Sequence, residues 1–420
     1  GLARGIGMVH QHFRLVQRFT AAENVALGDR RQPLILSAGR VRGAVAALGR
    51  RYGLPIDPDA RIGDLSVGER QRVEITKMLY RGVEVLLLDE PTAVLTPQEA
   101  EALFVTLRTM AADGKAVVFI SHKLGEVMAV ADRVTVLRDG HVVGEVATAH
   151  TDRHRLATMM VGREVDLSPR RAGRPPGRRV LEVTGLTLHP PGQRARLQDV
   201  TFAVHAGEVV GVAGVAGNGQ RELAEVITGL RSPTAGSVAV SGRDTTGRGP
   251  RATRAAGLAY VPEDRLGTGL APSLSIADNL LLTRPLPFFV DRRAATAEAR
   301  SVIDDFRVKA SGPGAAVRGL SGGNLQKVLL GRELAAGRDA LVVASPTRGL
   351  DVGAIAFVRD LLDERRRSGC GVLLLSEDLD EVRALSDRIL VLYEGRVVLE
   401  CAGGAADLTT LGLAMAGVAP

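Results

Sequence analysis

The chain has 420 residues, long enough for two or three domains, and apolar residues make up 45% of it, as in globular proteins. Only 3% of the residues are aromatic and tryptophan is absent, which argues against a surface that binds single-stranded nucleic acid by base stacking. The net charge of +7 would suit nucleic acid or an anionic membrane, but the excess is partly concentrated between Arg170 and Arg179, without a basic helix. No run approaches the roughly 18 apolar residues of a membrane-spanning helix. Cys370 and Cys401 lie in no metal or redox motif, so we expect a reduced, cytosolic chain.

The first predicted strand lies in the sequence GIGMVHQHF and ends at His10 and Gln11. A helical region is predicted from Thr20 to about Ile62. An amphipathic helix then opens at Leu65–Glu69, with the sequence LSVGE and with apolar residues three and four positions apart further along. Ser66 followed by Glu69 is also the pattern of a capping box, which would serve any helix start.

A short apolar strand, Val85 to Leu88, leads directly into the carboxylates of Asp89 and Glu90. The carboxyl ends of parallel strands face the ligand crevice in an α/β sheet. There one carboxylate can hold a magnesium ion while the other orients a water molecule. The alternative is an acidic turn between a strand and a helix, before Pro91.

A helix is predicted from Pro97 to Ala112, followed by the apolar strand Ala116 to Ile120. Ser121 and His122 stand at the end of that strand, one strand after the acidic pair. A lone histidine is usually structural, but this position also suits contact with a bound phosphate. Another strand, Arg133 to Leu137, follows.

The chain contains an internal repeat in which positions from Leu65 to Val143 match positions 255 residues later without a gap. Leu65 and Ser66 correspond to Leu320 and Ser321 at the start of the intact sequence LSGGN. We therefore predict two copies of one α/β domain in tandem, residues 1–160 and 181–420, joined by a Pro-, Gly- and Arg-rich linker, residues 161–180. The second copy extends about 70 residues further upstream than the first, which leads us to expect an N-terminal truncation.

In the second copy, the strand Glu208 to Val212 leads into a glycine-rich turn, Gly214 to Arg221, that opens a helix. Such a loop cradles phosphates with its backbone N–H groups and the helix N-terminus. Gln220 stands where a lysine would pair with the phosphates, and Arg221 where a Ser or Thr would ligate magnesium. Without those two groups, we expect this loop at most to bind a nucleotide through its backbone.

The second copy also lacks the polar groups that the first copy offers to a metal or water. Ala344 and Ser345 replace Asp89 and Glu90. In the same way, Glu377 replaces His122, and Glu263 replaces Gln11. The losses are coherent rather than scattered.

The order LSVGE, then VLLLDEP, then a histidine, repeated with LSGGN, resembles the ABC-type ATPases over essentially the whole chain. The resemblance implies two tandem ATP-binding domains of the α/β class, each with a mixed sheet, flanking helices and a helical subdomain. It also implies ATP and Mg²⁺ as cofactors. In this family the domains pair head to tail, so that each ATP lies between the phosphate loop of one copy and the signature motif of the other. The signature motifs here are LSVGE, Leu65–Glu69, in the first copy and LSGGN, Leu320–Asn324, in the second.

The resemblance implies one catalytically complete site, apart from the missing phosphate loop. Asp89 would hold Mg²⁺, Glu90 would polarise the attacking water, and His122 and Gln11 would register the γ-phosphate, Gln11 also touching the metal. The nucleotide-binding positions implied are Ser66 and Gly68 in the first copy and Gly214, Gly217, Asn218, Gly219, Gln220, Ser321, Gly322 and Gly323 in the second. We expect the 420-residue chain alone to hydrolyse ATP negligibly.

The degenerate second copy, with PTRGLDVGA and VPEDR, looks like the fused ATPase subunits of bacterial simple-sugar and nucleoside importers, and LSVGERQRVEI favours the nucleoside type. The resemblance implies transmembrane permease subunits as partners, a solute-binding protein as an indirect partner, no nucleic acid, and a peripheral position on the cytoplasmic face of the cell membrane. One alternative is a soluble ATPase that acts on ribosomes or nucleic acid, although such proteins carry a long charged linker. Another is a non-hydrolysing regulatory subunit.

Overall fold

The structure is a computed structural model. The residues that it describes are 1–10, 13–29, 37–92, 95, 97–121, 123–138, 140–162, 177–192, 194–215, 217–284, 288–334, 339–404 and 407–418. The chain forms two compact units, residues 1–165 and 166–420. Within the described parts of the chain, no helix is both long and apolar enough to cross a membrane.

The first unit alternates strands and helices along most of its length. Its elements are β1 (Ile6–Val9), α1 (Ala21–Ala26), α2 (Ala38–Tyr52), α3 (Val67–Tyr80), β2 (Val85–Asp89), α4 (Pro97–Ala112), β3 (Ala116–Ile120), α5 (Leu124–Val130), β4 (Arg133–Arg138), β5 (His141–Ala147) and α6 (Arg153–Val161). The predicted helix from Pro97 to Ala112 and the strand from Ala116 to Ile120 are confirmed. The strand predicted from Val85 to Leu88 is one residue longer and includes Asp89.

The strands β1, β2 and β3 form a parallel sheet in that order, with Ile6 opposite Val85 and Val85 opposite Ala116. Leu86 and Leu88 of β2 are each 1% exposed and pack against α3 and α4. The helices α1, α2 and α3 form a second cluster around Val25, Val45 and Val73. This cluster is the helical subdomain expected after the first strand.

The second unit is larger than the first, and the main sheet of its described residues has six strands. Its elements are β6 (Arg179–Leu188), β7 (Leu197–His205), β8 (Val209–Ala213), α7 (Gln220–Ile227), β9 (Ala235–Val240), β10 (Arg243–Asp244), α8 (Pro250–Ala255), β11 (Leu258–Val261), α9 (Ile276–Leu281), α10 (Arg292–Asp305), α11 (Gly322–Leu334), β12 (Ala340–Ala344), α12 (Val352–Arg367), β13 (Gly371–Ser376), α13 (Leu379–Leu385), β14 (Arg388–Tyr393), β15 (Arg396–Ala402) and α14 (Leu408–Met415).

The main sheet has the order β11-β12-β13-β8-β14-β15, parallel except for β15, and a separate antiparallel sheet has the order β10-β9-β6-β7. Every residue of β8 and β13 is buried, as expected for parallel strands covered on both faces, which read as continuous apolar runs. The helices α9, α10 and α11 repeat the arrangement of α1, α2 and α3. The α/β class and the mixed sheet with a helical subdomain are confirmed.

The two units differ at the middle of the sheet. In the second unit, β8 pairs in parallel with both β13 and β14. In the described part of the first unit, the corresponding strands β3 and β4 lie in separate sheets. Val118 and Ile120 of β3 are consequently 52% and 60% exposed.

Candidate functional site

The acidic pair of the first unit stands at the carboxyl end of β2, where the backbone bends sharply. Glu90 has a φ of 45°, a left-handed conformation that residues other than glycine rarely adopt. Its N–H donates to the carbonyl oxygen of Ile120 at the end of β3, at 3.0 Å. Such a backbone costs on the order of 1–3 kcal/mol and persists only where neighbouring structure holds it. The bend turns the chain so that Asp89 belongs to the strand and Glu90 does not.

The second unit makes the same bend without the carboxylates. Ser345 has a φ of 43°, and its N–H donates to the carbonyl oxygen of Leu375 at 2.7 Å. Ala344 ends β12 in the place of Asp89. The backbone geometry is therefore retained where the side chains for metal and water are lost.

A glutamate that sequence reasoning missed lies behind the bend of the first unit. Glu126 Oε2 accepts hydrogen bonds from Thr92 Oγ1 at 2.6 Å and from Ser121 Oγ at 3.1 Å. Lys123 Nζ lies 3.4 Å from Glu126 Oε1. The carboxylate therefore joins the loop that follows Glu90 to the end of β3. His122 and Gln11 themselves lie outside the described residues, so their predicted roles stay predictions.

The same network recurs in the second unit around Glu381, which is 1% exposed. Thr347 N–H donates to Glu381 Oε1 at 3.2 Å, and Ser376 also bonds to this carboxyl group. Burial raises the pKa of Glu381, the hydrogen bonds from Ser376 and Thr347 oppose that shift, and the charge of Asp378 adds to it. The recurrence at a spacing of 255 residues is the sequence signal that could have identified Glu126.

The signature of the first unit starts helix α3 with a full capping box. Ser66 Oγ accepts from Glu69 N–H at 3.3 Å, and Glu69 Oε2 accepts from Ser66 N–H at 2.8 Å. The backbone hydrogen bond from Ser66 and then its hydroxyl lower the pKa of Glu69. A Cβ atom added at Gly68 would lie 2.3 Å from Glu99 Oε1, so this side chain covers the glycine. The capping function and the predicted nucleotide contact fall on the same serine.

The signature of the second unit starts α11 differently. Asn324 Nδ2 donates to Ser321 Oγ at 2.8 Å, and Asn324 Oδ1 accepts from Lys309 N–H at 2.8 Å. A Cβ atom at Gly322 would lie 3.4 Å from Arg265 Nη1, and one at Gly323 would lie 3.2 Å from the Cβ atom of Ala354. Both glycines therefore lie close against neighbouring groups at the start of the helix.

The glycine-rich loop of the second unit has the backbone of a phosphate cradle. Gly217 and Gly219 have φ values of 93° and 104°, and a Cβ atom at Gly219 would lie 2.6 Å from Arg196 O. A Cβ atom at Gly214 would lie 2.8 Å from Leu392 O. Asn218 Oδ1 accepts from Glu394 N–H at 3.1 Å, while its buried Nδ2 has no partner in the described structure. The cradle fits an anionic group bound through backbone N–H donors.

The side chains of the two substituted loop residues, Gln220 and Arg221, bond to other groups of the protein. Gln220 Nε2 donates to Val212 O at 3.0 Å and to Ser376 O at 3.2 Å, so its amide joins β8 to β13. Arg221 Nε lies 2.8 Å from Glu225 Oε1, and the Arg221 side chain is 82% exposed. With Ser345 in place of a carboxylate, this loop lacks the donor set for Mg²⁺.

The first unit fits a magnesium ion better, because Asp89 presents a carboxylate at the carboxyl end of β2. Mg²⁺ is commonly held by one or two carboxylates plus phosphate oxygens and water, rather than by an all-protein cage. Among the described residues, no group of three or more His, Cys, Asp or Glu side chains with metal-binding geometry occurs.

Comparison with known proteins places the chain in a family. The family model described as ABC transporter matches residues 2–93 and 197–348. The chain is 45% identical to the glucose import ATP-binding protein TsgD13 of Haloferax volcanii, covering 98% of this chain and 82% of that protein. It is 42% identical to the guanosine import ATP-binding protein NupO of Bacillus subtilis, covering 98% and 82%. It is also 42% identical to the ribose import ATP-binding protein RbsA 1 of Rubrobacter xylanophilus, covering 98% and 83%.

Solved structures agree at the level of the fold. The ATP-binding cassette MJ1267 of an ABC transporter superposes with a TM-score of 0.50 at 19% identity, covering 57% of this chain and 98% of that one. A single cassette thus accounts for little more than half of the chain, as expected for a repeat. The chain is a member of the ABC transporter family of ATPases, with two copies of the cassette in tandem.

Proposed function

We propose that the chain is the ATP-binding subunit that energises uptake of nucleosides or simple sugars through a membrane permease. The observation that carries the proposal is the asymmetry of the two strand ends: one left-handed bend presents Asp89 and Glu90, and the other presents Ala344 and Ser345. Relatives named for glucose, guanosine and ribose import support the transport role. Their solutes bound the substrate class without selecting one member of it.

In the proposed mechanism, the first unit supplies the chemistry. Asp89 would hold Mg²⁺, which when bound neutralises charge on the phosphates. Glu90, turned off the strand by its backbone, would accept a hydrogen bond from the attacking water and orient it. His122 and Gln11 would register the γ-phosphate, and Gln11 would also lie at the metal. Glu126 would keep the strand end rigid through Thr92 and Ser121.

The signature residues Ser321, Gly322 and Gly323 would bind the γ-phosphate with a hydroxyl and with the N-terminus of α11, where N–H groups and the helix dipole favour an anion. The remaining loop, Gly214, Gly217, Asn218, Gly219 and Gln220, together with Ser66 and Gly68, would bind a second nucleotide without hydrolysing it. Its side chains do not fit a metal, so no catalytic step is assigned there. We therefore expect only one of the two bound nucleotides to be hydrolysed in each cycle.

In this role the ATPase would work at the membrane together with other proteins. Permease subunits would bind the ATPase directly and a solute-binding protein would act through them, with the ATPase peripheral to the cytoplasmic face of the membrane and no nucleic acid involved. The solute would contact the permease and the binding protein rather than this chain.

The test replaces Glu90 by Gln in native cells and measures uptake of labelled guanosine, ribose and glucose, together with ATP hydrolysis by the purified transporter. We expect loss of uptake of one of these solutes and a fall in hydrolysis of about 100-fold or more, because the water loses its orienting carboxylate. Glu84→Gln is the matched control, since that carboxylate lies just before β2 and its side chain is 72% exposed. Unchanged uptake of all three solutes, or a chain that sediments with ribosomes, would overturn the proposal.

A further inference from the structure

The segment that follows β11 in the second unit forms a compact turn that begins at an arginine. Asp264 accepts hydrogen bonds from Leu266 N–H at 3.2 Å and Gly267 N–H at 2.8 Å, which caps the turn Arg265–Gly269. The turn is thus fixed locally, and the side chain of Arg265 leaves it towards the signature helix α11.

The Arg265 guanidinium joins three segments. Its Nε donates to Gln326 Oε1 in α11 at 2.7 Å, and its Nη2 donates to the carbonyl oxygen of Arg348 in the loop after β12. Its Nη1 lies against Gly322, where an added Cβ atom would be 3.4 Å away. The planar fork of arginine can hold two acceptors at once in a fixed geometry, which a lysine cannot do.

An ion pair supports the same junction. Arg348 Nη1 bonds to Glu263 Oε1, which stands next to the turn. Glu263 occupies the position that matches Gln11 of the first unit. The loops at the ends of β11 and β12 are therefore tied to each other, and Arg265 ties both to α11.

Gln326 depends on this arrangement. It is 1% exposed, and its Nε2 has no partner among the described residues. Arg265 therefore provides the hydrogen bond that the structure gives to this buried amide. Without Arg265 both ends of the amide would lack a partner, and buried polar groups without partners drive local rearrangement.

The first unit reaches the same end by another contact. Gln71, the counterpart of Gln326, donates from Nε2 to Pro91 O at 2.5 Å, which joins α3 directly to the loop after β2. The position that matches Arg265 there is Phe13, which packs against the α1–α3 core. The arginine junction is thus particular to the unit that has lost its carboxylates.

We propose that Arg265, supported by the Glu263–Arg348 ion pair, is a positioning residue that sets the start of α11, and with it Ser321 to Gly323, for contact with the γ-phosphate of ATP. This inference rests on the proposed function. Because this contact would be made with the phosphate group that hydrolysis transfers, we expect a displaced helix start to lower kcat more than it raises KM. A shift of about 1 Å is enough for such losses.

The experiment compares Arg265→Ala with Arg284→Ala in the assembled transporter. Arg284 belongs to the same helical region, pairs with Glu298 of α10 and donates to the carbonyl oxygen of Leu280. We expect Arg265→Ala to lower kcat about tenfold with KM within about twofold, and Arg284→Ala to leave both unchanged. Adding Gln326→Ala to Arg265→Ala should cost little more, because the two residues act as one unit.

Arg265→Lys guards against misfolding, since it keeps the charge and most of the volume while losing the second hydrogen bond. It should fold like the wild type in a thermal melt and still lose about threefold in kcat. A wild-type kcat in either variant overturns the inference. If instead Glu90→Gln leaves hydrolysis intact, the proposed function fails, and the two failures are thereby distinguished.

Discussion

At the ends of β2 and β12 the two units share a left-handed backbone bend but carry different side chains. Glu90 and Ser345 have φ values within 2° of each other, 45° and 43°. Each donates its N–H to a carbonyl oxygen of the neighbouring strand, that of Ile120 in β3 or of Leu375 in β13. The left-handed bend is therefore not a consequence of the glutamate. In both units the bend is followed by a Pro-Thr segment and lies beside a Thr–Glu–Ser network, so the fold retains the bend where the two carboxylates are absent.

The electrostatic setting of that network differs between the units. In the first unit Lys123 lies 3.4 Å from Glu126. The matching residue in the second unit is Asp378, whose charge adds to burial in raising the pKa of Glu381. The first unit thus places a cation beside its structural carboxylate, next to the predicted site of ATP chemistry. The second unit buries its carboxylate as part of the core.

The largest effect that separates the units is expected from Glu126→Ala and Glu381→Ala. Glu381→Ala leaves Thr347 N–H and Ser376 without their buried acceptor and should lower the free energy of unfolding by about 1–3 kcal/mol in a chemical denaturation. Glu126→Ala should lower the kcat for ATP hydrolysis by the assembled transporter about tenfold. Its loss of folding free energy should be smaller than that of Glu381→Ala, because the Glu126 side chain is 14% exposed and water can replace it.

Glu381→Gln is the control, and pH sharpens it. Because the folded-state pKa of Glu381 is raised above its usual value of 4.5, the folded state holds the proton more tightly than the unfolded state. The protonated Glu381 side chain therefore contributes to the free energy of unfolding. This contribution is complete below pH 4.5 and is lost as the pH rises through the folded-state pKa. Glu381→Gln should remove this dependence. Identical pH profiles of stability for the wild type and Glu381→Gln would contradict the assignment.

The glycine-rich loop allows a second prediction. Gln220→Lys replaces an amide held by Val212 O and Ser376 O with the cation that the family uses at this position. Because the glycine backbone is already formed, we expect nucleotide affinity of the purified chain to rise about tenfold, measured by equilibrium titration with a fluorescent ATP analogue. Arg221→Ser should change affinity much less, since Arg221 points to Glu225 and solvent. Equal effects of the two variants would show that the loop backbone, rather than residue 220, limits binding.

The sequence could predict the fold because its strongest signals are local and repeated. The apolar run after Lys115 predicted β3, Pro97 predicted the first residue of α4, and the 255-residue repeat related the stretch from Leu65 to Val143 to the second unit. It could not predict where long polar side chains point. Three long side chains bond to residues far away in the sequence: Gln220 to Ser376, Arg265 to Gln326 and Arg348 to Glu263. Only the folded chain brings these partners within reach.

The strand ends show the same limit in the candidate site. Asp89 and Glu90 were identifiable because a strand and two adjacent carboxylates form a local pattern. Glu126 was not, because its importance comes from Thr92 and Ser121 meeting it across two loops. Comparing the copies would have marked it, since Thr347, Ser376 and Glu381 repeat the spacing.

The smallest effect is expected at the two signature serines. Ser66→Ala removes the cap of α3 and should lower the free energy of unfolding by about 1 kcal/mol. Ser321→Ala should cost less than about 0.5 kcal/mol, because Ser321 Oγ accepts from the Asn324 amide, which can turn to water. Chemical denaturation of both variants at neutral pH measures the difference.

The pH dependence of Ser66→Ala provides the control. The Ser66 backbone N–H and then its hydroxyl lower the folded-state pKa of Glu69, and Ser66→Ala removes only the hydroxyl. The contribution of the hydroxyl to stability is present above the usual pKa of 4.5 and is lost as the pH falls through the lowered pKa. The loss caused by Ser66→Ala should therefore shrink in acid, whereas that of Ser321→Ala should stay constant. Equal and pH-independent losses at both serines would mean that the capping box does not distinguish the two signatures, and that the sequence difference between LSVGE and LSGGN has no consequence for helix stability.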